Sequence, residues 1–269
     1  MMKVRQPAVA GQFYPARPRE LTGMVDGYIK EAELASGPIP KAVIAPHAGF
    51  VYSGPVAGTA YAHLAQNNGA VRRVVLLGPT HWSHIRGLAA SSADAFATPL
   101  GTIPLDEEGQ QKALSLPQVE LSDDAHAREH ALEVQLPFLQ TIFSDLKLVP
   151  LVVGNATPSE VAGVLRELWG GPETVIVISS DLSHYNDYAT AVKLDKETSE
   201  SMEALQPLRE GQACGLKAIN GLLHLAREES LKLKTVDLRN SGDTAGPRDR
   251  VVGYGAYVIW ESEQEASRS

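Results

Sequence analysis

The sequence predicts an α/β fold, a single domain with a mostly parallel central sheet flanked by helices. Short continuous apolar runs, typical of strands buried on both faces of a parallel sheet, alternate with segments whose apolar residues recur at helical spacing. Such alternation of strands and helices is the pattern of α/β proteins. The 269 residues contain no linker-like stretch, so one domain over residues 1–269 is expected, with a flexible polar tail at about 262–269.

The predicted elements follow in order along the chain. Residues 7–15 mix glycine, proline and aromatic residues and are expected to form an ordered arm laid over the domain. The predicted helices are 21–35, 55–66, one that starts at Asp106, 158–169 and most of 190–231. The predicted strands are 42–45, 74–77, 148–153, 175–178 and 251–260, with further short strands in 86–105.

Charge and composition exclude several classes of partner. The chain carries 32 acidic against 24 basic residues, a net charge of −8, and has no basic cluster, so no nucleic-acid partner is expected. No apolar run is long enough to cross a bilayer and no signal-peptide core is present, which predicts a cytoplasmic protein without a membrane partner. The single cysteine excludes an intrachain disulfide and a CxxC zinc site.

Histidines follow three of the predicted strands at the points where those strands end. His47 follows the first strand, His81 follows the second, and His184 follows the strand 175–178, with Asp181 three residues before it. The carboxyl ends of parallel strands meet at one edge of a sheet, and ligands bind there. The three imidazoles are therefore expected to converge on one metal ion.

A second histidine-rich segment, residues 122–133, is predicted to form one helix with acidic residues in its first turn. On that helix His130 shares a face with His126 and with Glu133. One interpretation is the H-x-x-E-H motif of an inverted zincin, which would leave the strand-end histidines unexplained. A second is a hydrogen-bonded His130–Glu133 pair that faces the strand-end site and orients a ligand or moves a proton. A solvated helix face is the third.

One cysteine and several loop residues are further candidates for the site. Cys214 lies at a predicted helix start, where helix amides favour a thiolate, although a buried inert cysteine fits equally well. Whether His84, His126 or the polar loop Asn240–Asp243 belongs to the site stays open. The sequence contains no phosphate-binding glycine loop, dinucleotide fingerprint or G-x-S-x-G elbow, which argues against nucleotide binding and serine-hydrolase chemistry.

Five motifs occur in order over nearly the whole chain, from Gly11 to about Trp260. They are Ala45-Pro46-His47-Ala48-Gly49, Gly78-Pro79-Thr80-His81, Glu129-His130-Ala131-Leu132-Glu133-Val134-Gln135-Leu136-Pro137, Ser179-Ser180-Asp181-Leu182-Ser183-His184 and Cys214-Gly215. Together these motifs resemble those of the Memo family. The loop Asn240–Asp243 is similar to the prokaryotic branch of that family, called AmmeMemoRadiSam system protein B.

The resemblance implies a fold similar to the class III extradiol dioxygenases, which use non-haem iron(II). It implies a divalent metal, iron(II) ahead of copper or zinc, and the implied metal ligands are His47, His81 and His184. The residues implied to line the same pocket as catalytic candidates are His130, Glu133, Asp181 and Cys214. The name of the prokaryotic branch implies a radical SAM protein and an AMMECR-type protein as partners.

Three histidines differ from the two histidines and one carboxylate that hold iron in such oxygenases, and they also suit zinc or copper. The sequence is consistent with a dioxygenase-like oxidoreductase, in which His130 is the acid/base and Asp181 orients a histidine. It is also consistent with a non-catalytic metal-binding, adaptor or peptide-binding protein, and with a metal-assisted hydrolase. Cys214 slightly favours the non-catalytic protein, because a thiol beside oxygen-activating iron is open to oxidation. The ligand would be a small molecule or a peptide.

Overall fold

The computed structural model describes residues 2–34, 37–67 and 69–262. It confirms the predicted α/β class, with helices on both faces of a central sheet. The polar tail predicted from about residue 262 lies outside the described residues from 263 onward. The predicted end of the first helix at Ala35 also lies outside them.

The helices begin where the local sequence supplies caps. They are α1 Pro18–Lys30, α2 Phe50–Leu64, α3 Glu107–Leu114, α4 Asp123–Ala127, α5 His130–Glu133, α6 Leu136–Ile142, α7 Pro158–Leu168, α8 Tyr188–Glu203 and α9 Leu216–Glu228. The side chain of Asp106 accepts a hydrogen bond from the Gly109 N–H and so caps α3. Thr157 and Glu160 form a reciprocal capping box at the start of α7.

The strands form a large central sheet and a small outer one. They are β1 Val4–Arg5, β2 Ala42–Ala45, β3 Arg73–Pro79, β4 Leu88–Ala90, β5 Ala95–Thr98, β6 Gly101–Pro104, β7 Val119–Leu121, β8 Lys147–Val153, β9 Thr174–Ser179, β10 His184–Asn186, β11 Lys232–Asn240 and β12 Val251–Trp260. Among the described residues, nine strands make the central sheet in the order β10-β12-β2-β9-β3-β8-β4-β7, with β11 paired to β12. Strands β1, β5 and β6 form the outer sheet.

The centre of the sheet is parallel and its flanks are mixed. Strands β2, β9, β3 and β8 are parallel neighbours, whereas β12 joins β2 and β4 joins β8 in antiparallel pairs. Strand β9 lies between β2 and β3, so the carboxyl ends of these three strands open at one edge. The chain segments that carry His47, His81 and Asp181 therefore start side by side.

Side chains of the central strands alternate between two cores. In β3, Val74 and Leu76 belong to the core that includes α1, α2 and α6, whereas Val75 and Leu77 belong to the core that includes α7, α8 and α9. All four are fully buried, and each contributes roughly 1.5–3 kcal/mol of burial free energy. This double burial explains why the strands read as continuous apolar runs instead of alternating ones.

The structure departs from the sequence prediction at one predicted helix and at several elements that were not predicted, among them β1, β7, β10 and α6. The predicted helix over 122–133 is wrong as a single element, because α4 ends at Ala127 and α5 begins only at His130. The Glu129 side chain accepts a hydrogen bond from the Ala131 N–H, which caps a new helix start. Strand β11 was not predicted. No helix within the described ranges combines the length and apolarity that a bilayer crossing requires.

Candidate metal centre

The candidate site lies where β2, β3 and β9 end. His47 follows β2 by two residues and His81 follows β3 by two residues, and their ring centroids are 5.3 Å apart. Cys214 lies just before α9, and its Sγ is 3.3 Å from Nε2 of His47. Three chain segments thus bring two imidazoles and one thiol to the same point.

Two groups of residues at this point have the spacing that a metal ion requires. The possible ligand atoms of His47, His81 and Cys214 all lie within 4.8 Å of one another. The same holds for His81, Glu129 and His130, so His81 belongs to both groups. Within the part of the chain that the structure describes, neither group includes His184.

The hydrogen bonds of His47 fix which ring nitrogen carries the proton. The Ser179 hydroxyl donates its one proton to the carbonyl oxygen of Ala131 at 2.7 Å, so it must accept from Nδ1 of His47, 2.8 Å away. Nδ1 therefore carries the hydrogen, and Nε2 keeps a lone pair directed to the side of Cys214. Two atoms bound at about 2.0–2.3 Å to one tetrahedral ion are about 3.5 Å apart, close to this nitrogen–sulfur separation.

His81 is oriented in the same way by Glu129. Oε1 of Glu129 accepts from Nδ1 of His81 at 2.8 Å, and Oε2 accepts from the backbone N–H of His81 at 2.6 Å. Because an ionised carboxylate only accepts, Nδ1 carries the proton and Nε2 is left free. A buried carboxylate that holds the far nitrogen of an imidazole is the usual partner of a metal-binding histidine. Glu129 is therefore better explained as the residue that orients His81 than as a ligand.

His184 lies at the same edge but apart from the two groups. It begins β10, which pairs with β12, and its neighbour Tyr185 has a left-handed φ of 61°. Nδ1 of His184 donates to the carbonyl oxygen of Leu182 at 2.8 Å, which leaves its Nε2 free. Its charge helps to lower the pKa of His47, so the two rings share one electrostatic environment. The sequence predicted His184 as the third metal ligand, but in the described chain Cys214, and not His184, lies within ligand distance of His47 and His81.

Asp181 and Cys214 hold two loops together beneath the site. Oδ1 of Asp181 accepts from the His47 N–H at 2.7 Å, while its own N–H contacts Sγ of Cys214 at 3.2 Å. The Cys214 N–H in turn donates to the carbonyl oxygen of Asp181 at 3.2 Å. Asp181 thus positions His47 through the backbone, where the sequence predicted an acid that orients a histidine ring.

The electrostatics of the site favour neutral groups. Burial, followed by the charges of the neighbouring histidines, lowers the pKa of His47 to about 3 and the pKa of His130 to about 4. Both rings are therefore neutral near pH 7, as metal ligands must be. Burial and then the Asp181 charge raise the pKa of Cys214 to about 12, which favours a neutral buried thiol, one of the two alternatives that the sequence left open, over a thiolate. Burial also raises the pKa of Asp181.

A glycine next to the cysteine allows this close packing. A Cβ at Gly215 would lie 2.6 Å from Cβ of Ser180 and 2.8 Å from the carbonyl oxygen of Ser179. Any larger residue would push the start of α9, and Cys214 with it, away from the end of β9. The glycine of the Cys214-Gly215 pair is thus explained by the lack of space for a side chain beside β9.

His130 and Glu133 do not form the predicted pair. The His130 ring stacks on His81 with a centroid distance of 4.5 Å and meets Phe13 at 4.8 Å. The Glu133 carboxylate instead binds the N-terminal arm, which in the structure is taken as residues 3–15: it forms an ion pair with Arg5 and accepts from Tyr14 Oη at 2.5 Å. The expected His130–Glu133 hydrogen bond is a wrong prediction, since Glu133 is turned to the arm and Glu129 is the carboxylate that faces the histidines.

The inverted-zincin interpretation fails on geometry. His126 is buried, its Nε2 lies 3.0 Å from the carbonyl oxygen of Ala89, and its ring packs edge-on against Phe96. His126 and His130 stand on different helices, and neither group of possible ligand atoms includes His126. His126 is therefore a packing residue of the core within the described chain.

The two remaining open candidates have different environments. His84 lines a cleft of about 530 Å³ whose wall also includes Cys214 and Gly215. The loop Asn240–Asp243 is a short 3₁₀ turn in which Asn240 and Asp243 cap each other, and Asp243 also accepts from Tyr188 Oη at 2.6 Å. This loop is a structured turn next to β12, and His84 is the candidate that borders the site.

Sequence reasoning missed the residues that orient the imidazoles. Glu129, Ser179 and Gln135 are all buried, and Gln135 Nε2 donates to Ser179 Oγ at 2.7 Å. All three lie inside the motifs quoted above, and the usual pairing of a metal-binding histidine with a carboxylate is a signal that a partner should exist. That signal does not show whether Glu129 or Glu133 is the carboxylate that binds the histidine.

Comparisons with known proteins give a consistent result. The sequence model of the Memo-like protein family matches residues 5–258. MEMO1 family proteins of Saccharolobus solfataricus and Ignicoccus hospitalis are 34% and 36% identical, over 93% and 95% of this chain and 97% and 98% of theirs. A MEMO1 family protein of Thermotoga maritima is 33% identical over 95% of this chain and 99% of its own.

A solved structure shows the same fold at low sequence identity. The crystal structure of the uncharacterized protein JW3007 from Escherichia coli K12 superposes with a TM-score of 0.53 and 13% identity. It covers 82% of this chain and 100% of its own length. At this identity the likeness concerns the fold alone.

Proposed function

The chain belongs to the Memo-like protein family, and on that premise we propose that it binds a divalent transition metal ion through His47, His81 and Cys214. The observation that carries the proposal is the convergence of the three ligand atoms within 4.8 Å. Two imidazoles with free Nε2 atoms and one thiol form a donor set that fits such an ion. The thiol would lose its proton on binding, despite its raised pKa.

This donor set bears on the choice of metal. Two imidazoles and a thiolate are softer than two imidazoles and a carboxylate, so they widen the choice from iron(II) to copper and zinc. Iron(II) remains our first candidate from the family resemblance, and copper and zinc are the alternatives. Bound iron or copper would supply a redox-active, Lewis-acidic centre, and zinc a Lewis-acidic one.

We further propose that the site acts as a metal-dependent oxidoreductase on a small molecule. Three protein ligands leave coordination positions open, and the cleft of about 530 Å³ reaches the site at Cys214. His130 is neutral near pH 7 and stacks on His81, so it can take up or deliver a proton there.

Non-catalytic metal handling is the second candidate, and a specific observation favours it. Cys214 supplies one of the three ligand atoms, and a thiol that close to an oxygen-activating metal is open to oxidation. A protein that stores or transfers the ion would not expose its thiol to that chemistry. Oxygen uptake by the iron-loaded protein with a panel of catechols, measured beside His130→Asn at equal metal content, separates the two functions.

The metal proposal is tested by titrating iron(II) anaerobically, copper(II) and zinc(II) into wild type and variants. We expect His47→Ala and Cys214→Ser to weaken binding by more than the about 10–100-fold that loss of an outer partner costs. His184→Ala should change affinity less, because His184 belongs to neither candidate group found among the described residues. His224→Ala on α9 is the control, since that half-exposed side chain pairs with Glu228. Equal binding by wild type and Cys214→Ser, with loss in His184→Ala, would instead support three histidines.

We also propose the partners that the prokaryotic branch implies, a radical SAM protein and an AMMECR-type protein, in the cytoplasm. The support is the family membership together with the loop Asn240–Asp243. Co-expression with each protein, followed by size-exclusion chromatography of the metal-loaded chain, tests the association. Separate elution of all three proteins would contradict it.

A further inference from the structure

A cleft borders the metal site on the side of Cys214. Its wall is formed by the segments that follow β3 and β8 and by the start of α9, and it includes His84, Arg86, Asn155, Cys214, Gly215 and Lys217. Its volume of about 530 Å³ is within the range of about 300–1,000 Å³ that small-molecule sites occupy. Cys214 belongs both to the cleft wall and to the metal group.

The charge of the cleft is opposite to that of the chain. The chain has a net charge of −8, yet the wall contains Arg86 and Lys217 and no acidic residue among those described. Two carboxylates interact with these cations, and each is committed elsewhere or lies outside the cleft. Glu160, whose pKa Arg86 helps to lower, accepts the Thr157 bonds that cap α7. Glu210 is 4.0 Å from Lys217 Nζ, is 86% exposed and does not line the cleft.

The wall that carries Arg86 is built into the fold. The backbone around Arg86 bridges to Asn155, with Gly87 N–H donating to the Asn155 carbonyl oxygen at 3.1 Å and Asn155 N–H donating to the Ile85 carbonyl oxygen at 2.9 Å. A Cβ at Gly154 would lie 2.2 Å from the Ile85 side chain, so these two segments pack without a gap. The guanidinium is therefore presented from a fixed backbone, and no ion pair of Arg86 occurs within the described residues.

We propose that this cleft binds the oxyanion of a small organic substrate, a carboxylate or a phosphate, through Arg86 and Lys217, and directs the rest of the substrate to the metal group. A guanidinium and an ammonium are the side chains that recognise such oxyanions. The proposal rests on the proposed metal site, because it assigns the substrate class of that site. The cation pair, the acid-free wall and the shared Cys214 carry it together.

The test uses the full chain, metal-free and metal-loaded, with three probes of similar size. Benzoate and phenyl phosphate carry the two kinds of oxyanion, and benzamide is the neutral control. Binding is measured by calorimetry for wild type, Arg86→Gln, Lys217→Gln and the double variant R86Q/K217Q. The matched control is R72Q/K193Q, which removes the same two charges from exposed side chains outside the cleft. Circular dichroism confirms that each variant is folded.

We expect wild type to bind benzoate or phenyl phosphate at least about tenfold more tightly than benzamide, and R86Q/K217Q to lose at least about tenfold. R72Q/K193Q should stay within about twofold of wild type. The stronger of the two anionic probes identifies a carboxylate or a phosphate as the group recognised. Equal binding of benzamide, unchanged binding by R86Q/K217Q, or no binding of either anion would overturn the proposal.

Failure of the metal site is distinguishable from failure of this proposal. His47→Ala removes a proposed metal ligand but leaves the cleft wall intact, since His47 does not line it. If that variant and wild type both lack metal but keep the preference for benzoate over benzamide, the metal assignment is wrong and the oxyanion site stands. If metal binds as proposed and the anion preference is absent, the metal assignment stands and the oxyanion site is wrong.

Discussion

Two buried carboxylates four residues apart, Glu129 and Glu133, serve two different regions of the molecule. Glu129 faces the strand-end site and holds His81 through both its oxygens. Glu133 faces the N-terminal arm and binds Arg5, the Ala8 N–H and Val9 N–H. Both acids lie within one motif of the sequence, yet one orients a candidate metal ligand and the other anchors a segment more than a hundred residues away.

The difference follows from where the helix begins. Glu129 is the residue before α5, and its side chain folds back onto the Ala131 N–H, which turns its carboxylate to the end of β3. Glu133 is the last residue of α5, on the side covered by the arm. The arm in turn places the Phe13 ring against the His130 ring, with a centroid distance of 4.8 Å. Glu133 therefore supports the site only indirectly, through the arm and Phe13. Each prediction below tests this division between direct and indirect support.

The largest effect is expected for Glu133→Ala. This change leaves the Arg5 guanidinium buried without its partner, since the two side chains are only 7% and 0% exposed. Breaking such a pair destabilises a protein by about 3–5 kcal/mol. Urea denaturation measures the loss, with Asp145→Ala, an 85% exposed acid, as control.

Metal affinity of the folded Glu133→Ala protein should stay close to wild type, because Glu133 contacts none of the candidate ligands. Glu133→Gln, which keeps the size of the side chain, serves if the alanine variant does not fold. A loss of stability below about 1 kcal/mol in either variant would show that the arm is not anchored by this acid.

An intermediate effect is expected for Glu129→Gln, and it should fall on metal binding. The amide keeps one acceptor but loses the charge that holds the protonated Nδ1 of His81. Loss of such an outer partner weakens metal affinity by about 10–100-fold. Calorimetric titration of the metal identified for wild type gives the value. If Glu133→Gln weakens the metal as much as Glu129→Gln does, the division between the two acids is wrong.

The smallest effect is expected for Lys3→Ala. Lys3 pairs with Asp123 and so also ties the arm to the domain, but the two side chains are 58% and 40% exposed. An exposed pair of this kind contributes about 0.2–1 kcal/mol because water and salt screen it. Denaturation at low and high salt should show a small loss that fades as salt rises. A loss as large as that of Glu133→Ala would mean that the arm depends equally on both pairs.

Much of the fold is readable from local sequence. Strand β12 has the predicted bounds Val251–Trp260, and the start of α3 after Asp106 was predicted from its acidic first turn. Strand β11 was missed although Lys232, Leu233 and Lys234 alternate as in a strand with one solvated face, because the alternation does not continue: the following residues are half-buried without a period of two. The Memo-like resemblance, read from five short motifs, is confirmed by the family match over residues 5–258.

The candidate site was predicted in part. The edge of the sheet was correct, since His47 and His81 follow β2 and β3, the two parallel neighbours of β9, and Cys214 joined them from a third segment. The placement of His184 could not be read from spacing, because the chain turns after Asp181 and pairs β10 with β12, more than sixty residues later in the sequence. The hydrogen bonds by which Asp181 and Cys214 connect two loops could not be predicted from the sequence either.

The sequence by itself determined the central parallel strands, the edge at which they end and the residue types gathered there. These follow from local periodicity and from the rule that parallel strands share one carboxyl edge. Only the tertiary structure decided which partner each side chain takes: Glu129 takes His81, 48 residues away, and Glu133 takes Arg5, 128 residues away. Hydrogen bonds of a buried side chain depend on which backbone surface covers it, and that surface comes from distant parts of the chain.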